Sequence, residues 1–322
     1  MPRKLKQPTN YLVLTGGGVR TFSFVGTLAE LEHQWGEKWW SSLKGYWGVS
    51  AGAFLSLLLA LDFELQDLTH LLLYFPFERL FQPHLDCILQ KWSLDDGAQF
   101  TRFAQSLLLQ KNLSPTITLQ ELHDRTQKEL HIIVSNLSQG TIDDWNHETQ
   151  PTMPVIKALM ASAALPMIFP SVEHNREMFV DGAYFCPYPF TQVPPKDWNE
   201  SLGFYCNEID HEHPVPEVPE SMRQFLTLCF TASRVFLMKP YHASGFWERT
   251  IKIEIPGIEM TDFELTREQR LFLLEKGSKA VQQYTITPSS SDERTPSSPR
   301  PCEDPSAPSS GRPCKDESPE HP

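Results

Sequence analysis

The chain has 322 residues, of which 40% are hydrophobic and 21% are charged, and its formal net charge is −12. This supply of apolar side chains suffices for a packed domain of sheet and helices. The negative balance argues against a general nucleic-acid binder, because phosphate repels a net anion. The six cysteines are too few for a disulfide scaffold, so we expect free thiols and a reducing compartment.

The start of the chain predicts neither a signal peptide nor a membrane anchor. Residues 1–9 form a basic N-terminal extension, and the apolar run after it, Tyr11–Leu14, is too short for the core of a signal peptide. The longest apolar run, Ala51–Leu61, is too short to span a bilayer. We therefore predict a cytoplasmic or peripheral membrane protein with one globular domain over residues 10–284.

The end of the chain has a different composition. Residues 285–322 contain 9 of the 27 prolines and no aromatic side chain. Such a segment buries too little apolar area to offset the entropy lost on ordering, so we predict a disordered tail rich in serine and proline. Its Ser-Pro pairs at 298–299 and 318–319 suit a regulatory tail, and a solvated extension without a role has the same composition.

Short strands and amphipathic helices alternate along the body of the chain. Apolar runs predict strands, and apolar residues at helical spacing predict helices. The predicted strands are 11–14, 45–49, 131–134, 178–180, 202–205 and 251–255, and the predicted helices are 21–34, 51–61, 65–75, 96–109, 119–129, 155–164, 222–238 and 267–284. This alternation is typical of an α/β fold with a largely parallel sheet.

Three helix starts carry a capping-box pattern, in which Ser or Thr is followed three residues later by a side chain that reaches back to the backbone. The patterns are Ser93–Asp96, Thr118–Glu121 and Thr266–Gln269. The first fits only loosely, because it ends in Asp. We expect each pattern to begin the helix that follows it.

The sequence Gly48-Val-Ser50-Ala-Gly52 lies between a predicted strand and a predicted helix. A serine on such a tight turn has a strained backbone, and side chains two residues before and after it would collide, which explains the two glycines. The following helix directs free N–H groups and a positive dipole towards the serine. Ser50 is therefore a candidate nucleophile, and a structural turn without chemistry is the alternative.

Three consecutive glycines, Gly16, Gly17 and Gly18, follow the first strand, and Arg20 comes two residues later. A dinucleotide fingerprint would need glycine at position 21, where the chain has threonine, and a phosphate-binding loop would need Gly-Lys-Ser/Thr. The backbone amides of this loop suit an anion, either a phosphate or the oxyanion of acyl transfer. A flexible loop without a role is the alternative.

A third feature, Asp181-Gly182-Ala183, also follows a predicted strand, and the run ASAALPMIFP at 161–170 precedes it. Ligands bind at the carboxyl ends of strands in open α/β sheets, so we expect the three features to lie near one another. Together and in this order they resemble the patatin-like phospholipase family, over roughly Tyr11 to Tyr284. The resemblance implies a three-layer α/β/α fold with a largely parallel central sheet.

The resemblance also implies a lipid acyl hydrolase of the phospholipase A or lysophospholipase type. Ser50 would be the nucleophile, Asp181 the general base, and the amides of Gly16–Gly18, with Arg20 near, the oxyanion hole. The remaining motif residues are Gly48 and Gly52 of the elbow and Gly182 and Ala183 beside the aspartate. This chemistry needs no metal ion or cofactor, and it implies a lipid substrate at a membrane or micelle surface, no nucleic-acid partner and no identified protein partner.

Three segments depart from the family pattern. Thr21 stands where the family has glycine after the arginine, and Thr15 stands where Asp or Ser often precedes the glycines. Phe185–Pro189 replaces an asparagine-rich run and is expected to reshape the mouth of the site. We expect an altered loop geometry with activity retained.

Two other functions are compatible with these residues. An α/β-hydrolase triad would join Ser50 and Asp181 to His211, His213 or His242, which follow in the required chain order. A lipid-binding or partner-binding protein would instead keep the fold without turnover.

Two further segments have both a functional and a structural interpretation. Leu71–Phe77 with Leu80–Phe81 suits an interfacial patch or lid, and core packing is the alternative. Asp210–His213 contains residue types that bind metals, but prolines follow it closely, so we predict a solvated loop.

Overall fold

The computed structural model describes residues 3–207, 219 and 221–286. The predicted tail beyond residue 286 and the cluster Asp210–His213 lie outside this part of the chain.

The described strands form two sheets. They are β1 (Arg3–Leu5), β2 (Tyr11–Leu14), β3 (Gly45–Val49), β4 (Glu129–Asn136), β5 (Thr141–Trp145), β6 (Val172–His174), β7 (Glu177–Asp181), β8 (Leu202–Asn207), β9 (Thr250–Glu254) and β10 (Tyr284–Ile286). The central sheet has the order β6-β7-β4-β3-β2-β8-β9, and β5 pairs with β4. Strands β4, β3, β2, β8 and β9 are parallel, whereas β5, β6 and β7 are antiparallel to their neighbours.

Helices alternate with the strands along the chain. They are α1 (Ser23–Trp35), α2 (Ala51–Ala60), α3 (Leu65–Tyr74), α4 (Leu85–Lys91), α5 (Ala98–Gln110), α6 (Leu119–Thr126), α7 (Val155–Ser162), α8 (Met222–Met238) and α9 (Arg267–Val281). Short 3₁₀ turns join several of them. None of the helices in the described ranges is both long and apolar enough to cross a membrane.

Each face of the central sheet covers its own hydrophobic core, because successive side chains of a strand point to opposite faces. Leu12 and Leu14 of β2 belong to a large core that includes α1 and α2. Val13 of β2 and Trp47 of β3 belong to a second core with the segment Ala183–Val193. The three-layer α/β/α arrangement is therefore confirmed.

Two of the three predicted capping boxes are confirmed. Thr118 and Thr266 each accept a hydrogen bond from the amide three residues later, and that residue's side chain accepts one in return. The prediction of a capping box at Ser93–Asp96 is wrong, because the helix begins at Ala98. There the Asp95 carboxylate accepts from the amide of Gly97 at 2.6 Å, which forms a turn before the helix.

The N-terminal extension is attached to the end of the described chain. Strand β1 pairs in parallel with β10, with Leu5 opposite Ile286, and Leu5 is fully buried. The last helix was expected to continue to Tyr284 but ends at Val281. The sequence patterns do not mark α4, β5 and β6, which are short elements of seven, five and three residues.

Candidate active site

Ser50 occupies the turn between β3 and α2, with φ 54° and ψ −129°. This conformation is rare for a residue with a side chain and persists only where the surroundings enforce it. A Cβ on Gly48 would lie 2.4 Å from the Cα of Ala53, and one on Gly52 would lie 2.4 Å from the carbonyl oxygen of Thr15. Both glycines are therefore required by close packing, but against different neighbours and not against each other as expected: Gly48 lies against α2, and Gly52 lies against the end of β2.

The side chains of Ser50 and Asp181 are in direct contact. Ser50 Oγ donates a hydrogen bond to Asp181 Oδ2 at 2.7 Å. The sheet brings them together, because Ile133 of β4 pairs with Val49 and the next residue, Val134, pairs with Asp181. A carboxylate that accepts the serine proton directly is the geometry required of a general base.

Asp181 is held in place on its other side. Its side chain is almost completely buried, and Oδ1 accepts from the amide of Ala183 at 2.8 Å. A Cβ on Gly182 would lie 2.1 Å from the carbonyl oxygen of Ile133. The two small residues after the aspartate thus let the chain turn tightly against β4, which leaves Oδ2 directed at the serine.

Ser162, at the end of α7, supports the strained backbone of Ser50. The amide of Ser50 donates to Ser162 Oγ at 2.9 Å, and that hydroxyl donates to the carbonyl oxygen of Ile133 at 2.7 Å. The bridge ties the turn to β4. Ser162 lies within the run 161–170 that marks the family, but no local pattern assigns it this role.

The three-glycine loop lies against the elbow. A Cβ on Gly16 would lie 3.0 Å from the Cβ of Ser50. Gly18 has a φ of +53°, and a Cβ there would lie 1.9 Å from the carbonyl oxygen of Met260. Across the described residues, the amides of Gly17 and Gly18 donate to no acceptor. These amides are therefore free to bind an anion, and their role in an oxyanion hole stays a prediction.

Arg20 does not reach the site. Its Nε donates to the carbonyl oxygen of Ile258 at 2.7 Å, and its side chain is not part of the cavity wall. Thr21, which stands in place of glycine, lies in the short 3₁₀ turn Gly18–Phe22, and its hydroxyl donates back to the carbonyl oxygen of Gly18 at 2.8 Å. Arg234 of α8 lines the cavity instead, and its Nη2 donates to the carbonyl oxygen of Gly16 at 3.1 Å.

A cavity of about 150 Å³ extends from Ser50 and Asp181 into the interior. Most of its lining residues are Leu, Phe or Val, such as Val25, Leu58, Phe100 and Phe103. A wall of this kind binds apolar groups through the hydrophobic effect. Asp181 and Arg234 are the only charged residues that line the cavity in the described chain.

The segment considered as an interfacial patch lines this cavity from the inside. Leu72, Phe77 and Leu80 are buried and contribute to its wall. These three side chains belong to the large core and do not form an exposed patch, whereas a role of the segment as a lid stays a prediction. Tyr74 is an exception, with 57% of its surface exposed.

No histidine in the described ranges lines the cavity. His242 is exposed, and its amide closes a turn by donating to the carbonyl oxygen of Lys239. His211 and His213 lie outside the described chain. Because Ser50 and Asp181 are joined directly at 2.7 Å, no imidazole stands between them, which is not the arrangement of a triad.

A family model described as patatin-like phospholipase matches residues 12–193. A probable lipid hydrolase of Invertebrate iridescent virus 6 is 25% identical over 183 residues, which cover 55% of this chain and 61% of that protein. An uncharacterized protein of Acanthamoeba polyphaga mimivirus is 22% identical over 295 residues, which cover 88% of this chain and 97% of that protein.

The crystal structure of VipD from Legionella pneumophila superposes with a TM-score of 0.54 at 16% identity. The match covers 86% of this chain and 66% of the VipD chain. It therefore concerns the fold alone. This chain spans less than two thirds of both VipD and the iridescent-virus relative.

Proposed function

Because the chain belongs to the patatin-like phospholipase family, we propose that it is a lipid acyl hydrolase that cleaves fatty-acyl esters through an acyl-enzyme on Ser50. The 2.7 Å hydrogen bond from Ser50 to the buried Asp181, at the mouth of an apolar cavity, is the observation that carries the proposal. The proposed catalytic domain spans residues 10–284. The substrate class is a phospholipid or lysophospholipid ester.

The reaction begins when Ser50 Oγ attacks the ester carbonyl carbon and its proton moves to Asp181 Oδ2. Asp181 then gives this proton to the departing alcohol, which leaves the acyl group bound to Ser50. In the second half, water loses a proton to Asp181, attacks the acyl carbon and displaces Ser50. The fatty acid leaves and the serine regains its proton. Every step uses water and protein groups, so the proposed reaction requires no metal ion or cofactor.

The negative charge that forms on the carbonyl oxygen needs donors that are already oriented. The amides of Gly17 and Gly18 are the proposed donors, since both line the cavity beside Ser50. One such donor lowers the barrier by about 3 to 4 kcal/mol in comparable sites. The amino end of α2, which begins directly after Ser50, adds a positive dipole.

The apolar lining of the cavity supports an acyl group as the part of the substrate that it holds. The charged headgroup would stay outside, because transfer of a charge to an apolar wall is costly. Met222 and Phe236 of α8 expose 71% and 68% of their surface. We propose that these side chains contact a membrane or micelle surface. The chain's net charge of −12 favours a surface that is not itself anionic.

The proposal is tested by measuring fatty-acid release from mixed phospholipid and lysophospholipid vesicles. We expect Ser50→Ala and Asp181→Asn each to lose at least about a thousandfold in rate. Ser56→Ala is the matched control, because Ser56 lies on α2, the helix that follows Ser50, is buried and does not line the cavity. A folded wild-type protein that binds lipid but releases no fatty acid would support a binding protein instead.

A further inference from the structure

We propose that Arg234 is a positioning residue that orients the glycine loop for catalysis. This inference rests on the proposed hydrolase function. Arg234 lies on α8, far from the loop in sequence, and only 1% of its surface is exposed. Its Nη2 donates to the carbonyl oxygen of Gly16 at 3.1 Å. It takes the place beside the loop that the family resemblance assigned to Arg20.

The surroundings of Arg234 make its burial informative. The guanidinium lies over the ring of Phe230, with Cζ 5.5 Å from the ring centre, and faces a cavity whose only other charged lining residue in the described chain is Asp181. Placing a charge among apolar side chains is costly unless it makes specific hydrogen bonds. The bond to Gly16 is such an interaction, and it connects the charge to the proposed oxyanion hole.

The bond to Gly16 also determines the direction of the Gly17 amide. In a planar trans peptide, the carbonyl of one residue and the N–H of the next point in opposite directions. When Arg234 holds the carbonyl oxygen of Gly16, it therefore fixes the orientation of the Gly17 N–H as well. A charged donor on the carbonyl also polarises the peptide group, which strengthens the N–H as a hydrogen-bond donor.

A loop of three glycines needs an external restraint of this kind. Glycine has more backbone freedom than any other residue, and it offers no side chain that packing could immobilise. Gly18 is restrained by its contact with Met260, whereas a Cβ on Gly17 would meet no atom closer than 3.8 Å. Gly17 is thus the least confined residue of the loop, and Arg234 binds the peptide group that leads into it.

The test compares the steady-state kinetics of Arg234→Met and Arg234→Ala with those of wild type, on a soluble short-chain nitrophenyl ester. An oxyanion donor stabilises the transition state and contributes little to substrate binding. When one donor loses its orientation, we therefore expect kcat to fall by about 10²-fold while KM changes little. Arg249→Met is the matched control. Arg249 is also buried and donates to the backbone carbonyls of Ser201 and Lys6, but it does not line the cavity.

Chemical rescue separates positioning from general stability. Arg234→Ala leaves a space of guanidinium shape next to the cavity, so millimolar guanidinium chloride should restore part of kcat, whereas urea, which is uncharged, should not. Restoration by guanidinium in Arg234→Ala and none in Ser50→Ala would support the proposal. If Arg234→Ala does not fold, the kinetics of Arg234→Met carry the test: a lower kcat with little change in KM would support the positioning role.

Two results would overturn the inference without affecting the proposed hydrolase function. One is an active wild-type protein together with an Arg234→Met variant that has the same kcat. The other is a parallel loss of kcat and melting temperature in Arg234→Met and Arg249→Met alike, which would assign a structural role only. An inactive but folded wild type would instead refute the hydrolase proposal itself.

Discussion

Removal of the Ser162 hydroxyl tests how the strained elbow is supported. Ser162→Ala takes away the acceptor of the Ser50 amide and the donor to Ile133, and Ser162 is fully buried. A buried polar group left without a partner costs about 1 to 3 kcal/mol. The carbonyl of Ile133 should bear most of this cost, because Ser50 itself is partly exposed. We expect a loss of about 2 to 3 kcal/mol in the free energy of unfolding.

The assay is urea unfolding followed by tryptophan fluorescence, with Ser56→Ala as the matched control. Ser56 Oγ is buried and has no hydrogen-bond partner in the described chain. Its removal leaves nothing unpaired and places a better helix former in α2, so stability should stay the same or rise by up to about 1 kcal/mol. Equal stability of Ser162→Ala and Ser56→Ala would refute the conclusion that the Ser162 hydroxyl stabilises the turn at Ser50. We also expect kcat to fall in Ser162→Ala, because the nucleophile loses its backbone restraint.

Three further predictions concern the elbow, a charged network and the cavity. In thermal unfolding, Gly52→Ala should destabilise the fold by about 3 kcal/mol, because the added Cβ would lie 2.4 Å from a backbone oxygen. Gly245→Ala is the control: its added Cβ would have its nearest contact at 3.8 Å, so stability should change by less than about 0.5 kcal/mol. The imidazole of His131, with Nε2 3.7 Å from Glu129 Oε2, the Tyr11 hydroxyl and the Lys44 ammonium together lower the pKa of Glu129 to about 2. The ionised Glu129 carboxylate therefore stabilises the fold above its ordinary pKa of 4.5, and this stabilisation is lost as the pH falls towards 2. Glu129→Gln should flatten this part of the curve of unfolding free energy against pH. An unchanged curve would argue against the charged network around Glu129. Leu58→Trp narrows the cavity wall and should slow hydrolysis of long-chain esters by about tenfold or more while acetyl esters still react; equal losses on both would argue against acyl binding there.

The elements that carry Ser50 and Asp181 follow from local patterns. A short apolar strand, glycines at fixed positions and an apolar helix specify the elbow within residues 45–61, because steric exclusion and hydrophobic burial act there over a few residues. The capping boxes at Thr118 and Thr266 are equally local. At Ser93–Asp96 the same pattern fails, because the carboxylate of Asp95 bonds to the backbone before the helix begins.

The contacts that complete the site depend on tertiary structure. Ser162 is 112 residues from Ser50, and Arg234 is 218 residues from Gly16. No spacing within the sequence connects such pairs. Arg20 lies next to the glycines and nevertheless turns away, because Ile258 offers a carbonyl oxygen that its guanidinium binds. The parallel pairing of β1 with β10 likewise joins the two ends of the described chain and has no local signature.

The most direct test of the Ser–Asp mechanism is to identify the residue that becomes acylated. Wild-type protein is treated with a fluorophosphonate probe, its esterase activity is followed, and peptide mass spectrometry locates the label. We predict one label per chain, on Ser50, with activity lost in proportion to labelling and with much slower labelling in Asp181→Asn. A label on another serine that accompanies the loss of activity, or an active enzyme in which Ser50 stays unmodified, would contradict the mechanism.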